Sequence, residues 1–232
     1  MSFSIKPRTV HSVIGPNGAG KTTLFNLISG VYTPTAGEIA LQGANVTAKR
    51  PDELAGLGMS RTFQNLQICM NMSAIENVMV GAHLRLNTGF WAGMLRLPGM
   101  GRAERACREE CAALMEFAGV GAYVGVQASQ MSYGALKRLE IARALAAKPR
   151  LLLLDEPAAG LNHTETAEIG ALIRKVADSG VTVVLVEHDM KLVMNLSDQI
   201  LVLDYGKKLA EGTAAEIRAN PDVIAAYLGA SA

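Results

Sequence analysis

Residues Gly15, Pro16, Asn17, Gly18, Ala19, Gly20, Lys21 and Thr22 form the pattern G-x-x-x-x-G-K-T, set between a β-rich run (Thr9 to Ile14) and a helix-forming one (Thr23 to Ser29). Such a loop cradles phosphate. Its glycines let the chain turn tightly enough for successive N–H groups to converge on one anion, and the following helix points its positive end at the same charge. In that chemistry Lys21 bridges the β- and γ-phosphates of a nucleotide and Thr22 ligates Mg2+. A second cluster closes the apolar run Leu151 to Leu154, where the adjacent carboxylates Asp155 and Glu156 precede Pro157. A buried strand puts both acids at its carboxyl edge, where parallel sheets hold their ligands. Asp155 then suits Mg2+, directly or through water, and Glu156 suits a base that orients and deprotonates an attacking water.

The elements that must position these groups are readable from apolar patterning. Thr9 to Ile14, Leu151 to Leu154, Thr182 to Val186 and Ile200 to Leu203 are nearly continuous in Val, Ile and Leu, the pattern of strands buried on both faces. Between them, Glu165 to Ala177 carries Ile169, Leu172, Ile173 and Val176 at helical spacing, ended by Asp178, Ser179 and Gly180. Strands alternating with helices predict an α/β fold with a parallel sheet and covering helices. Asp204 to Lys207 reads as a hairpin turn leading into Leu209 to Gly212. From about Ser73 to Leu145 the chain is rich in Ala, Met, Leu and Arg and predicts a helical lobe. Inside it, residues 88–101 hold the only Trp; Phe90 and Trp91 read as core packing, the alternative being a contact with another subunit or a membrane surface. Phe3 reads as part of a strand.

Composition narrows the class. With 232 residues, half of them apolar, the chain can bury a sizeable core as one large domain or two closely packed lobes. Its 22 basic and 21 acidic residues leave a formal charge of +1, so no global field favours nucleic acid or acidic lipid. The three cysteines, Cys69, Cys107 and Cys111, have no disulfide-framework spacing and suit a reducing compartment. Cys107 and Cys111 lie four apart on a predicted helix, without further ligands to complete a metal site, and read as packing residues. Lys6 and Pro7 interrupt the start before any leader-like apolar run develops, and the most apolar stretches, such as Gly180 to Val186, fall well short of the ~20 residues a spanning helix needs. Any membrane role is therefore expected to be peripheral.

At Met131, Ser132, Tyr133, Gly134 and Ala135 a small polar motif leads into an amphipathic run ending near Leu145. This segment resembles the signature motif of ATP-binding cassette (ABC) ATPases, whose usual form is Leu-Ser-Gly-Gly-Gln. The phosphate loop, the Asp155 and Glu156 pair, and His188 after the run Val184 to Val186 fit the same family in order. The resemblance implies a P-loop NTPase: a RecA-like parallel sheet core over residues 1–68 and 146–232, a helical subdomain inserted at about 69–145, and a small antiparallel β part. It implies ATP and Mg2+ as ligands, with Gly15 through Thr23 on the nucleotide. Thr22, Asp155 and Gln64 fall to the metal, and Lys21, Glu156, Gln64 and His188 to catalysis. Ser132 and Gly134 would contact the γ-phosphate held by a second cassette, and Ala159 to Asn162 would touch that opposite subunit.

Further residues narrow the resemblance: Arg61 to Leu66, Ile75 to His83, the insert around Trp91, and Ala158 to Asn162 look like the ATPase subunits of branched-chain amino acid importers, with urea and amide importers sharing much of the pattern. This implies a peripheral subunit at the cytoplasmic face of a bacterial inner membrane. It would pair with a second ABC ATPase, identical or not, beneath two transmembrane permease subunits served by a periplasmic solute-binding protein. Two departures stand out. Ala135 replaces the signature's closing Gln, and the fourteen residues before Gly15 leave no room for the upstream strand and adenine-stacking aromatic of the family. A nucleotide-binding regulatory subunit with little turnover is the alternative these departures leave open.

Overall fold

The computed structural model describes residues 1–85 and 100–229. The chain divides into two compact units, one built from Met1–Gln64 with Arg150–Ala232 and the other from Asn65–Pro149.

The first unit holds a six-stranded sheet. Its strands are β1 (Val10–Ile14), β4 (Met59–Arg61), β5 (Leu151–Asp155), β6 (Thr182–Val186), β7 (Gln199–Asp204) and β8 (Lys207–Gly212), in the order β4-β5-β6-β1-β7-β8. All neighbours are parallel except β7 and β8. β2 (Ala40–Leu41) and β3 (Ala44–Asn45) form a separate antiparallel pair. The four long apolar runs are strands as expected, each end falling within one residue of its expected place. β1 lies mid-sheet, with Val10 opposite Val183 of β6 and Ile14 opposite Val202 of β7, which is why all five of its residues are buried. Alternate side chains feed two cores: Val13, Leu153, Val184, Leu201 and Leu203 pack with Phe25 on one face, and Ile14, Ile200 and Val202 pack with Val193, Ile217 and Val223 on the other.

The hairpin falls where the turn residues put it. Tyr205 (φ 43°) and Gly206 (φ 75°) are both left-handed, the backbone that a two-residue turn needs to match the strand twist, and Asp204 pairs with Lys207 across it. Helices of this unit are α1 (Lys21–Ile28) and α2 (Pro51–Gly56) before the second unit, and four more among and after the strands later in the chain. One strand was not foreseen, and one expectation changes. β4 has only three residues, too few for any period to register, and is made a strand by pairing Met59, Ser60 and Arg61 with Leu151, Leu152 and Leu153. Phe3 is not in a strand: residues 1–9 have no ladder, and Phe3 and Ile5 instead lay half-buried side chains against the core around Val13 and Phe25.

The second unit contains α3 (Ala74–Gly81), α4 (Met100–Phe117) and α5 (Tyr133–Ala146). Ser73 starts α3 with a reciprocal cap, its hydroxyl accepting from the Glu76 N–H while the Glu76 carboxylate accepts from the Ser73 N–H. Gly81 ends α3 against α5, where a β-carbon would sit 2.0 Å from the Arg143 carbonyl oxygen. Backbone cannot yield as a flexible side chain can. Gly81→Ala should therefore destabilise the unit by roughly 1–3 kcal/mol, and an unchanged melting temperature would refute that close approach. Cys107 and Cys111 are buried on α4 with sulfurs 3.9 Å apart, and burial pushes the Cys111 thiol up to about 12, so they pack rather than react. Phe90 and Trp91 lie outside the described residues. Among the described residues no helix is long and apolar enough to cross a membrane.

The remaining helices, all in the first unit, are α6 (His163–Asp178), α7 (Met190–Leu196), α8 (Ala214–Ala219) and α9 (Pro221–Gly229). The expected helix over Glu165 to Ala177 is α6. It begins at Asn162, whose side chain accepts from the N–H groups of Thr164 and Glu165.

Candidate active site

The glycine loop joins β1 to α1. Gly15 is required by close approach, since a β-carbon there would lie 2.2 Å from the Leu203 carbonyl oxygen. Gly20 stands in the left-handed region (φ 96°) as the cap of α1 and offers no side chain to that helix, and the first turn holds no acidic residue. The leading amides of α1 are thus left for an anion. Asn17, Gly18, Thr22 and Thr23 are exposed along this loop and turn, while Pro16 and Gly20 are half-buried. Lys21 is buried and folds back across the loop, its Nζ donating to the Gly15 carbonyl at 2.7 Å and the Pro16 carbonyl at 3.0 Å. Burial lowers its pKa, and the charge of nearby Glu156 opposes that shift. An ammonium held on carbonyls beside open amides can exchange those contacts for phosphate oxygens without moving the backbone.

At the carboxyl end of β5, Asp155 is buried and Glu156 follows immediately. One carboxylate oxygen of Asp155 accepts from Arg61 Nη2 at 3.0 Å. The other nitrogen, Nη1, donates to Asn26 Oδ1 at 2.8 Å and Ser29 Oγ at 2.7 Å, which ties β4, β5 and α1 to a single guanidinium. That guanidinium also lies over the rings of Phe25 and Phe63, 5.7 and 5.2 Å from their centroids.

Glu156 has φ 50°, a left-handed conformation that costs a non-glycine residue about 1 kcal/mol or more. Its N–H donates to the Val186 carbonyl at 3.0 Å, which holds the bend. Bent this way, its carboxylate meets His188 Nε2 at 2.5 Å on one oxygen and accepts from Gln64 Nε2 at 3.2 Å on the other. Residues 92 and 32 positions away in sequence thus converge on one carboxylate. Backbone strain sustained at such a convergence points to function.

Two residues of this site escaped sequence reasoning. Arg61 gave no signal because its role depends on β4 pairing with β5. Glu187 is buried and accepts from the N–H of Ala158 at 2.7 Å and of His188 at 3.0 Å, joining the segment after Glu156 to the backbone that carries His188. Burial raises its pKa, and the charge of Glu156 adds to that shift. In the second unit, Ser132 caps α5 by accepting from the Ala135 N–H, with Gly134 and Ala135 buried behind it. The Ala135 methyl fills that buried position. Asn162, expected at a contact with another subunit, spends its side chain on capping α6.

The donor set fits Mg2+ held together with a nucleotide. Thr22 and Asp155 offer a hydroxyl and a carboxylate, one of whose oxygens is engaged by Arg61. Among the described residues no group of three or more His, Cys, Asp or Glu side chains could hold a metal alone. Such sparse protein ligation suits a cation that keeps waters and takes phosphate oxygens.

A glycine loop feeding α1, an acid pair at the carboxyl edge of another parallel strand of the same sheet, and a glutamine and histidine converging on the second acid define a P-loop ATPase. The family model for the ABC transporter matches residues 1–159, and the chain belongs to that family as an ATP-binding, ATP-hydrolysing cassette. Residues 207–232 match the family model of the branched-chain amino acid ATP-binding cassette transporter.

Among curated relatives, the chain is 46% identical over 230 residues to the high-affinity branched-chain amino acid transport ATP-binding protein BraF of Pseudomonas aeruginosa, covering 99% of this chain and 90% of the relative. It is 44% identical to LivG of Escherichia coli K12, which bears the same description, with the same coverage. Of solved structures, the ADP conformation of an ABC transporter cassette matches with TM-score 0.85 at 29% identity over 99% of this chain and 91% of that one. A dimeric cassette bound to ADP and phosphate matches with TM-score 0.72 at 28% identity over 91% of this chain and 88% of that one.

Proposed function

We propose that this chain is the ATPase subunit of an importer for branched-chain amino acids or related small polar solutes, acting at the cytoplasmic face of a bacterial inner membrane. The observation that carries the catalytic half is the convergence of Gln64 and His188 on Glu156 beside the loop that holds Lys21. The solute half rests on the match of residues 207–232 and on the descriptions of the relatives.

In this reading the amides of Gly15 through Thr23 and the ammonium of Lys21 bind the triphosphate. Glu156 takes the proton of the attacking water, while Gln64 and His188 fix the direction of its carboxylate and the place of that water. Thr22, Asp155 and Gln64 would hold Mg2+, which would supply charge neutralisation at the phosphates. Two cassettes close on ATP, each offering Ser132 and Gly134 to the other's γ-phosphate. Because those contacts exist only while the phosphate is present, hydrolysis reopens the pair. Two permease subunits receive the motion, and a periplasmic binding protein delivers the solute.

Reconstitution tests the reading. With its permease partners and binding protein in proteoliposomes, the chain should drive ATP-dependent accumulation of labelled leucine, with ATP hydrolysis rising when the loaded binding protein is present. Uptake of urea or a short amide without uptake of leucine, isoleucine or valine would move the assignment to the related small polar solutes, and ATP-dependent uptake of none of them would refute it.

A further inference from the structure

The parallel strands β5 and β6 stay in register up to Asp155 and Val186, the last residues they pair. Two further hydrogen bonds then cross between their continuations. Glu156 donates its N–H to the Val186 carbonyl at 3.0 Å, and two residues on, Ala158 donates its N–H to Glu187 Oε1 at 2.7 Å. The first bond joins backbone to backbone; in the second a side chain has taken over. Glu187 thus carries the pairing of the two strands past the left-handed bend at Glu156. Its other oxygen accepts from the His188 N–H at 3.0 Å, so a single carboxylate grips the chain on both sides of the contact between Glu156 and His188. Beyond His188, Asp189 caps α7 by accepting from the N–H groups of Lys191 and Leu192.

From this bridge, and on the reading of Glu156 as the base, we infer that Glu187 is a positioning residue for ATP hydrolysis: it holds the turn after β5 against β6 so that the Glu156 carboxylate stays aimed beside His188. A left-handed non-glycine residue persists only where its surroundings hold it. The turn closes on itself through the Ala159 N–H, which donates to the Glu156 carbonyl at 3.1 Å, and the bond from Ala158 to Glu187 ties that closed turn to the chain carrying His188. Ala158 and Glu187 are both buried, so water does not readily replace a lost partner. An unsatisfied Ala158 N–H is relieved by movement of the turn, which takes Glu156 with it. A displacement of about 1 Å at such a group can cost on the order of a hundredfold in rate. The phosphate loop and Lys21 share none of these bonds, so nucleotide binding is spared.

Glu187→Gln keeps the size of the side chain but leaves one oxygen for two N–H donors. In the assembly reconstituted with permease subunits and binding protein, it should lower kcat for ATP about tenfold, with KM and the Kd for MgATP within about twofold of wild type. Glu187→Asp, one methylene too short to reach Ala158, should do the same although the charge is kept. Val223→Ala thins the core under α9 outside this bridge; it should lower the melting temperature and leave kcat unchanged. Because Glu187 acts through Glu156, adding Glu187→Gln to Glu156→Gln should lower the residual turnover no further. Wild-type kcat in either Glu187 variant overturns the positioning role. So do MgATP binding weakened as much as kcat, an equal fall of kcat in Val223→Ala, and losses that multiply in the double variant. Each of those results leaves Glu156 standing as the base, whereas turnover near wild type in Glu156→Gln alone overturns both readings together.

Discussion

Glu156→Gln is expected to lower ATP turnover by roughly 10²–10⁴-fold, the range associated with losing a positioned general base, while MgATP still binds. Glutamine preserves the length of the side chain and an oxygen for one of the two partners, Gln64 and His188, so the surroundings need not rearrange. What it cannot do is accept the proton of the attacking water. The phosphate loop, Lys21 and Asp155 are untouched, and a cassette that holds ATP without cleaving it should accumulate as a nucleotide-bound dimer. Sizing chromatography with MgATP, beside a phosphate-release assay, checks both parts. Turnover near wild type would remove Glu156 from the role of base, and loss of ATP binding would mean that the substitution had damaged the loop instead. The left-handed backbone at this position persists in the variant, so its thermal stability should match that of the parent.

The sequence disclosed what is local. Eight consecutive residues, Gly15 to Thr22, carry the geometry of the loop, and a central parallel strand such as β1 or β5 has to be apolar on both faces, so its run of Val, Ile and Leu is unbroken. Positions set by pairing were silent. β4 is three residues long and owes its conformation to β5, so neither the strand nor the place of Arg61 could be read from periodicity. Gln64 and His188 each sit in unremarkable surroundings, and only a family resemblance aligned them with Glu156; the bend that brings the three together is a φ angle that no residue type announces.

Arg61→Met should cost the first unit about 3–5 kcal/mol, the scale of stranding one member of a buried ion pair. Both side chains are almost wholly covered, at 9% and 7% exposure, so water cannot replace the lost partner of Asp155. Asn26 and Ser29 lose their donor in the same step, and the faces of Phe25 and Phe63 lose the cation between them. Arg61→Lys should recover only part of the loss, because one ammonium cannot span the three acceptors that the planar fork reaches. The expected loss comes from charge, and a double substitution isolates it. Asp155→Asn removes the stranded carboxylate, so adding it to Arg61→Met should restore stability relative to Arg61→Met alone, although each single change is destabilising. Denaturant unfolding of the nucleotide-free protein measures all four corners of that cycle. Additive losses would show that Arg61 and Asp155 act separately, and that the guanidinium serves packing between β4 and α1 instead of holding the acid in place for the metal.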